Sequence, residues 1–350
     1  MVSFYPGPSR VYDDIPRWTT MAASQGILSM NHRSDDFMKL MRNTIQQLHK
    51  KLSIPSSYSI FFVSSATECW EIIAQSLIDK ESLHIINGAF GEKWFDYTKR
   101  LKPDASKYLF DREALPAMAS LQPPVNGLIC ITHNETSNGT ALPVKFLQDL
   151  RAGFPSHVIA VDATSSMAGV YLDFRLADVW FASVQKCFGL PAGMAILICS
   201  PKAMERAGQL SDKQHYNSLL FMKDMLEKHQ TTHTPNVLGI YLLFRSLQKR
   251  KPIREIDRQT RKRANAWYDF FADHRDLHLL ITHPAVRSQT VIAVSGDPMV
   301  LQRAKKKAKQ AQLLLGDGYG SLKPTTIRIA NFPAIRALEI RALEAVLSRL

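Results

Sequence analysis

The sequence predicts an α/β protein: a large domain on a mostly parallel, seven-stranded sheet, followed by a small C-terminal α+β domain. Three observations carry this reading. From about residue 59 to 199, short apolar runs alternate with segments of helical spacing. Two of those runs, Val158–Asp162 and Val179–Ser183, end abruptly in polar residues, as buried parallel strands do when their carboxyl ends meet a site. Beyond about residue 250 a long basic helix and sparser strands replace the alternation.

Taken in order, residues 1–30, with Pro6, Pro8 and Pro16, read as an irregular N-terminal arm. The spacing Phe37, Leu40, Met41, Thr44, Ile45, Leu48 predicts a helix over 35–51. Strands follow at Ser59–Val63, 83–86, 108–110, 127–132, Val158–Asp162, Val179–Ser183 and 194–199, with helices at 67–79, 92–101 and 144–151. The large domain spans 31–250. In the small domain, 251–350, a helix over 253–273 precedes strands at 277–281, 289–294 and 326–329, with helices near 299–312 and from 335. Two or three antiparallel strands with helices on one face are expected there.

Composition excludes several classes. At 350 residues, 45% hydrophobic and 21% charged, the chain is an ordinary globular protein with room for a large core. No apolar run spans a bilayer, and the first residues lack a charged segment followed by an apolar one. The four cysteines form no CxxC pair, so a reduced cytoplasmic protein without a metal site is expected. The net charge of +13 suits either nucleic acid or small anions. The basic runs 249–251, 261–263 and 305–307 fall on helix-like patterns and carry no interleaved aromatics, which reads as solvated helix faces. Neither nucleic acid nor membrane is therefore an expected partner.

Asp162 and Lys186 lie 24 residues apart, about one strand–connection–strand unit, so an acid and a lysine fall at the same edge of one sheet. Pyridoxal phosphate (PLP) chemistry needs that pair: the amine bonds the aldehyde, and the acid keeps the pyridine nitrogen protonated so the ring can take up electrons. Alone, Asp162 reads equally as a turn residue and Lys186 as a solvated cation. The neighbours add weight. Ser64-Ser65-Ala66-Thr67-Glu68 opens a helix whose free amides make a phosphate seat, although Ser65 and Glu68 also fit a capping box. Trp94 follows a turn and suits either ring stacking or the core. The polar stretch 133–140 after a buried strand offers Thr136 to a ring substituent. Arg328, between Ile327 and Ile329, either snorkels outward or grips a carboxylate with its fork. His32 and Arg33, ahead of the first long helix, suit an anion or a plain helix start with Ser34 as cap.

Together these stretches resemble the class V, fold type I PLP-dependent aminotransferases, and specifically the phosphoserine aminotransferases. The resemblance runs nearly the full length: Pro6-Gly7-Pro8, Asn31-His32-Arg33-Ser34, Ser64-Ser65-Ala66-Thr67, Gly91 to Trp94, His133-Asn134-Glu135-Thr136-Ser137-Asn138-Gly139, Asp162-Ala163-Thr164-Ser165-Ser166, Ser183-Val184-Gln185-Lys186, Gln230-Thr231-Thr232-His233-Thr234-Pro235 and Arg328-Ile329-Ala330-Asn331-Phe332-Pro333-Ala334. It implies Lys186 as the Schiff-base lysine and Asp162 as partner of the pyridine nitrogen. It implies Trp94 stacked on the ring and Thr136 bonded to its hydroxyl side. Ala66, Thr67, Gln185 and a partner subunit's Thr234 would cradle the cofactor phosphate. Arg328 would hold the α-carboxylate, and His32 and Arg33 of the partner subunit the distal anion. The implied enzyme is a homodimer with shared active sites. It moves an amino group between glutamate/2-oxoglutarate and 3-phosphohydroxypyruvate/O-phosphoserine, a step of serine biosynthesis. Three departures are visible: His233 where the family often has Asn, Thr67 where many members have Arg, and a loop at 318–323 with Lys323 as its sole cation. The alternatives are a related aminotransferase for a small non-phosphorylated substrate, of the alanine/serine–glyoxylate type, and a non-catalytic basic binding protein.

Overall fold

The computed structural model describes residues 1–350. Its larger sheet has seven strands, in the order Ser59–Val63, Ala195–Cys199, Val179–Ser183, Val158–Asp162, Leu128–Thr132, Ser82–Ile86 and Ser106–Leu109. Ala195–Cys199 runs antiparallel to both neighbours; the other pairings are parallel. The expected seven strands are thus the seven observed, with ends shifted by a residue or two.

Successive side chains of a strand point to opposite faces, and here both faces are dry. Ile159, Val161, Trp180, Ala182, Ile196 and Ile198 belong to a large core on one face. Val158, Ala160, Val179, Phe181, Ala195 and Leu197 belong to a second core on the other. This explains the unbroken apolar runs: a strand covered on both sides has no solvated face to encode as alternation. The outermost strand, Ser106–Leu109, is the exposed exception and the least apolar.

The smaller sheet has five strands, in the order Val2–Phe4, Leu313–Asp317, Thr326–Ala330, Val291–Gly296, Leu277–Leu279. Two of them correct the sequence reading. Leu313–Asp317 follows helix Pro298–Gln310 with no Gly or Pro between; the reversal is made by Gln312 at a left-handed φ of 62°. A left-handed glutamine leaves no recognisable signal in sequence. The other is Val2–Phe4, which pairs in parallel with Leu313–Leu315. Nor is the rest of the arm irregular: Ile15–Ser24 is a helix that buries Trp18. Pro16 sits in its first turn, where the missing N–H is no loss, so the proline starts this helix rather than breaking it.

The other helices expected from the sequence form within about three residues of their places, and three that it did not mark, Pro201–Leu210, Leu219–Glu227 and Val237–Lys249, follow the last strand of the large sheet. Asp35–Leu52 is capped by Ser34, whose hydroxyl accepts from the Phe37 amide. Ile253–Ala272 turns Ile253, Ala264, Trp267 and Phe271 inward and leaves Arg261 and Lys262 exposed. No helix is long and apolar enough to cross a membrane.

Candidate active site

Parallel strands end together, and the register brings the chemistry to one edge: Thr132 lies opposite Asp162, and Asp162 opposite Phe181, two residues before Ser183. Beyond that edge the chain turns away, leaving a cavity of about 230 Å³. Lys186 and Asp162 both line it, as do Ala66, Thr67, Thr136, Gln185 and Arg328.

Lys186 is 7% exposed. Its Nζ donates to Thr136 Oγ1 at 2.9 Å and to Ser165 Oγ at 3.0 Å, and these two hydroxyls bond each other. Burial pushes the ammonium down to about 8, against the opposing pull of Asp162 and Glu135. Asp162 is 5% exposed, and its Oδ1 accepts from the Thr164 amide at 2.9 Å. Burial raises its pKa, outweighing the Thr164 amide hydrogen bond and the charge of Lys186. A buried carboxylate with one amide contact gains from a cationic guest. From above, Gly7 presses on the lysine: a Cβ there would stand 2.8 Å from Lys186 Cε, and the φ of +148° also excludes a side chain.

The polar stretch 133–140 folds back as a narrow ribbon, Asn134–Glu135 against Thr140–Ala141, and is buried throughout. Glu135 caps an earlier helix, Ala89–Leu101: its Oε2 accepts from the amides of Phe90 and Gly91, both at 3.1 Å. That fixes the Phe90 ring, whose centroid lies 5.2 Å from Lys186 Nζ.

Trp94 is the site residue that needs correcting. It is 1% exposed, does not line the cavity, and packs edge-on against Phe181 at 5.1 Å and His84 at 5.4 Å. Phe90 and Trp94 are four residues apart and share a helix face. The one in the first turn reaches the carboxyl edge of the sheet; the one a turn later lies against its middle. Of the two, the aromatic that lines the cavity is therefore Phe90, together with Trp70 and Tyr319 from other segments.

Helix Ala66–Leu77 begins within a residue of the expected start, and the capping box is formed there. Ser65 Oγ accepts from the Glu68 amide at 3.0 Å, and the Glu68 carboxylate returns to the Ser64 amide at 2.6 Å. The Ala66 amide goes to Ser183 Oγ at 3.0 Å, which leaves the Thr67 amide free at the cavity. Arg328 does not snorkel outward. It is 7% exposed, its Nε donates to Asp317 O at 2.7 Å, and its Nη1 to Thr136 O at 2.9 Å. The Tyr319 ring, from the loop at 318–323, lies 5.4 Å from its Cζ and 5.0 Å from the Phe90 ring.

His32, Arg33 and Thr234 are not brought to this cavity. Arg33 is exposed and donates through Nη1 to Gln230 Oε1 at 2.9 Å. His32 meets Phe37 edge-on; partial burial, then the charges of Arg33 and His233, hold its pKa below the ordinary value. These residues form a surface patch of their own. Sequence reasoning missed Trp70, Phe90 and Tyr319 as cavity residues, and Ser165 as a hydrogen-bond partner of Lys186. Ser165 stood inside the stretch 162–166, but nothing in the linear order marks which of Thr164, Ser165 and Ser166 turns to the lysine.

Unpartnered buried atoms test whether PLP suits the cavity. Thr132 Oγ1, Asn134 Nδ2 and Thr164 Oγ1 are buried at its wall without a hydrogen-bond partner. Buried polar atoms demand partners, and these, with the free Thr67 amide, the acid and the amine, match a planar, polar, phosphate-bearing aldehyde.

Comparison with known proteins agrees. The family model for aminotransferase class-V matches residues 6–337. The phosphoserine aminotransferase of Rhodococcus opacus (strain B4) is 27% identical over 96% of this chain and 91% of its own length. That of Corynebacterium glutamicum (strain R) gives the same figures. A phosphoserine aminotransferase structure from Cytophaga hutchinsonii superposes with a TM-score of 0.94 at 30% identity, covering 99% of this chain and 98% of the other. At 17% identity, the aspartate aminotransferase of Thermus thermophilus shares the fold with a TM-score of 0.85 over 100% of this chain and 98% of its own. The chain belongs to the class V aminotransferases and, among them, to the phosphoserine aminotransferase family.

Proposed function

We propose that this protein is a PLP-dependent aminotransferase that exchanges an amino group between glutamate/2-oxoglutarate and 3-phosphohydroxypyruvate/O-phosphoserine, working as a homodimer in a reducing cytoplasm. The observation that carries the reading is the buried Lys186 amine sharing one cavity with the buried Asp162 carboxylate. When bound, PLP supplies an aldehyde for covalent capture and a ring that accepts the electrons of the broken Cα–H bond.

The chain's own residues do the rest. Asp162, desolvated and short of partners, is suited to holding a proton on the pyridine nitrogen. Phe90 offers a flat apolar face beneath the ring, fixed by Glu135. The Thr67 amide, Ala66 and Gln185 line the cavity at a helix N-terminus and would hold the cofactor phosphate, with Thr234 of the partner subunit completing the cradle. Arg328 has its Nε and one Nη1 hydrogen occupied by carbonyls, so the guanidinium plane is fixed and its remaining N–H groups stay free for a carboxylate. The Lys186 amine, lowered toward neutrality by burial, would be the base that takes the α-proton and delivers it to the former aldehyde carbon on the far side of the amino nitrogen. Thr136 and Ser165 hold that amine in place between transfers. Arg33 of the partner subunit supplies the cation for the distal phosphate, and His32 of the partner subunit a ring N–H donor beside it. The exposure of this patch, away from its own chain's cavity, supports a shared site. All four cysteines are free and buried, in keeping with a reducing compartment.

A second reading, transamination of small non-phosphorylated substrates, is favoured by Tyr319, whose ring fills the mouth where a further cation would otherwise stand. The test is an absorbance spectrum of the purified holoenzyme, repeated after glutamate and again after 3-phosphohydroxypyruvate. Bleaching of the yellow band followed by its return supports the phosphorylated substrate. Return with glyoxylate alone would transfer the assignment to the second reading, and no response to any amino donor would remove transamination.

A further inference from the structure

A second cavity, of about 290 Å³, opens where the N-terminal segment meets residues 249–251 and helix Ile253–Ala272. Lys249, Arg250, Lys251 and Arg263 line it together with Tyr12 and Thr260, and no carboxylate does. Two carboxylates nearby attend to three of the cations. Asp14 takes Lys249 at 2.7 Å and Arg250 at 3.1 Å, and Glu255 takes Lys251 at 3.2 Å. Arg263 has no acidic partner at all: its Nη1 donates to Ile335 O at 2.7 Å and its Nη2 to Asn331 O at 3.4 Å. Its Nε is buried and unpartnered, as are Arg250 Nε and the Thr260 hydroxyl. Burying donors and cationic charge without partners is costly, and three such groups converge on one cavity.

The missing complement is negative and rich in acceptors. Donors spread over four side chains suit a tetrahedral oxyanion, with acceptor atoms in several directions, better than a planar carboxylate with two. The arginine forks also match phosphate oxygens. We propose that this cavity binds a small phosphate-bearing anion, either inorganic phosphate or a compact phosphate monoester, separately from the catalytic cavity. The site touches the catalytic machinery through the backbone. The Tyr12 amide donates to Gly189 O, three residues beyond Lys186, and Arg263 holds Asn331 O, three residues beyond Arg328. An occupant would therefore brace both segments that carry the reacting groups. The inference stands on this cavity alone and does not depend on the transaminase substrate.

The experiment is thermal unfolding of the PLP-loaded holoenzyme against inorganic phosphate, and in parallel against glycerol 3-phosphate, at ionic strength held constant with sodium chloride. A ligand that binds the native state raises Tm with its concentration. Tm is expected to rise with at least one of the two probes. The half-saturating concentration should increase at least tenfold in the double variant Lys249→Gln/Lys251→Gln, whose side chains are exposed enough to leave folding intact. It should stay unchanged in Arg328→Gln, which alters the catalytic cavity only. A larger rise with glycerol 3-phosphate identifies an esterified ligand, and an equal or larger rise with phosphate identifies the free ion; both support the site. An equal rise with chloride, no rise with either probe, a rise that survives the double lysine variant, or one that vanishes in Arg328→Gln would overturn it.

Discussion

The cavity around Lys186 and the patch around Arg33 are built on opposite principles. In the cavity, Thr136, Ser165, Glu135 and Arg328 are buried, and each is pinned by side-chain or backbone partners from the same chain. On the patch, Arg33 is exposed and tied to Gln230 alone, and Thr234 lies open. A group that must hold a reacting atom to within a fraction of an ångström is fixed by packing and hydrogen bonds inside one chain. Arg33 and Thr234 have no such frame within their own chain. The contrast separates the groups fixed inside one chain from those that the proposed shared site would draw from a second copy.

The most severe way to break the comparison is Lys186→Ala. Turnover should fall by at least about 10³-fold, with loss of the yellow colour in the same sample; steady-state rates and a spectrum check both. Arg328→Gln should come next, lowering kcat/KM for glutamate and for the oxo acid alike by about 10²-fold, as expected when a carboxylate loses a fixed bidentate partner. Arg33→Gln should cost the phosphorylated substrate about 10- to 100-fold in kcat/KM while leaving glutamate nearly untouched. Mixing Arg33→Gln with Lys186→Ala protein sharpens this further. If Arg33 serves the neighbouring subunit, hybrid dimers contain one intact site and full-rate turnover of the phosphorylated substrate returns; if it serves its own chain, activity stays at the low level of the Arg33→Gln protein.

Smaller effects separate the two aromatics and the lysine's ionisation. Trp94→Leu should destabilise the protein by about 2–4 kcal/mol through the void it leaves, with little change in cofactor retention. Phe90→Leu should do the reverse, weakening PLP retention by about tenfold with a minor change in Tm. Denaturant melts and dialysis against a PLP trap distinguish them. Lys186 captures an aldehyde only as the neutral amine. With its pKa pushed down to about 8, the rate of PLP uptake by the apoenzyme should rise with pH and level off above that value. Below it, the rate should fall about tenfold per pH unit. Stopped-flow absorbance reads this directly.

What could be read from sequence follows the same division. Strands dry on both faces announce themselves as apolar runs, and their polar ends placed Asp162 and Lys186 correctly at one edge. The strand Leu313–Asp317 stayed hidden because its turn uses Gln312 rather than glycine. Helix Ile15–Ser24 stayed hidden because a first-turn proline looks like a breaker out of context. Phe90 and Trp94 could not be ranked in one dimension: both suit a ring, and only their height above the sheet decides. Ser165 is marked solely by its distance to Lys186 Nζ.

The strand Val2–Phe4 is bonded to residues 313–315, and a few positions later Gly7 lies against the lysine side chain. The segment that roofs the amine therefore cannot settle until a strand some three hundred residues further along the chain has formed. A chain cut before residue 313 can still assemble the seven strands between Ser59 and Cys199, but it has nothing to anchor the roof over Lys186. Closure over the amine is thus a long-range event, and loosening Val2–Phe4 would strike the cavity at its centre rather than at its edge.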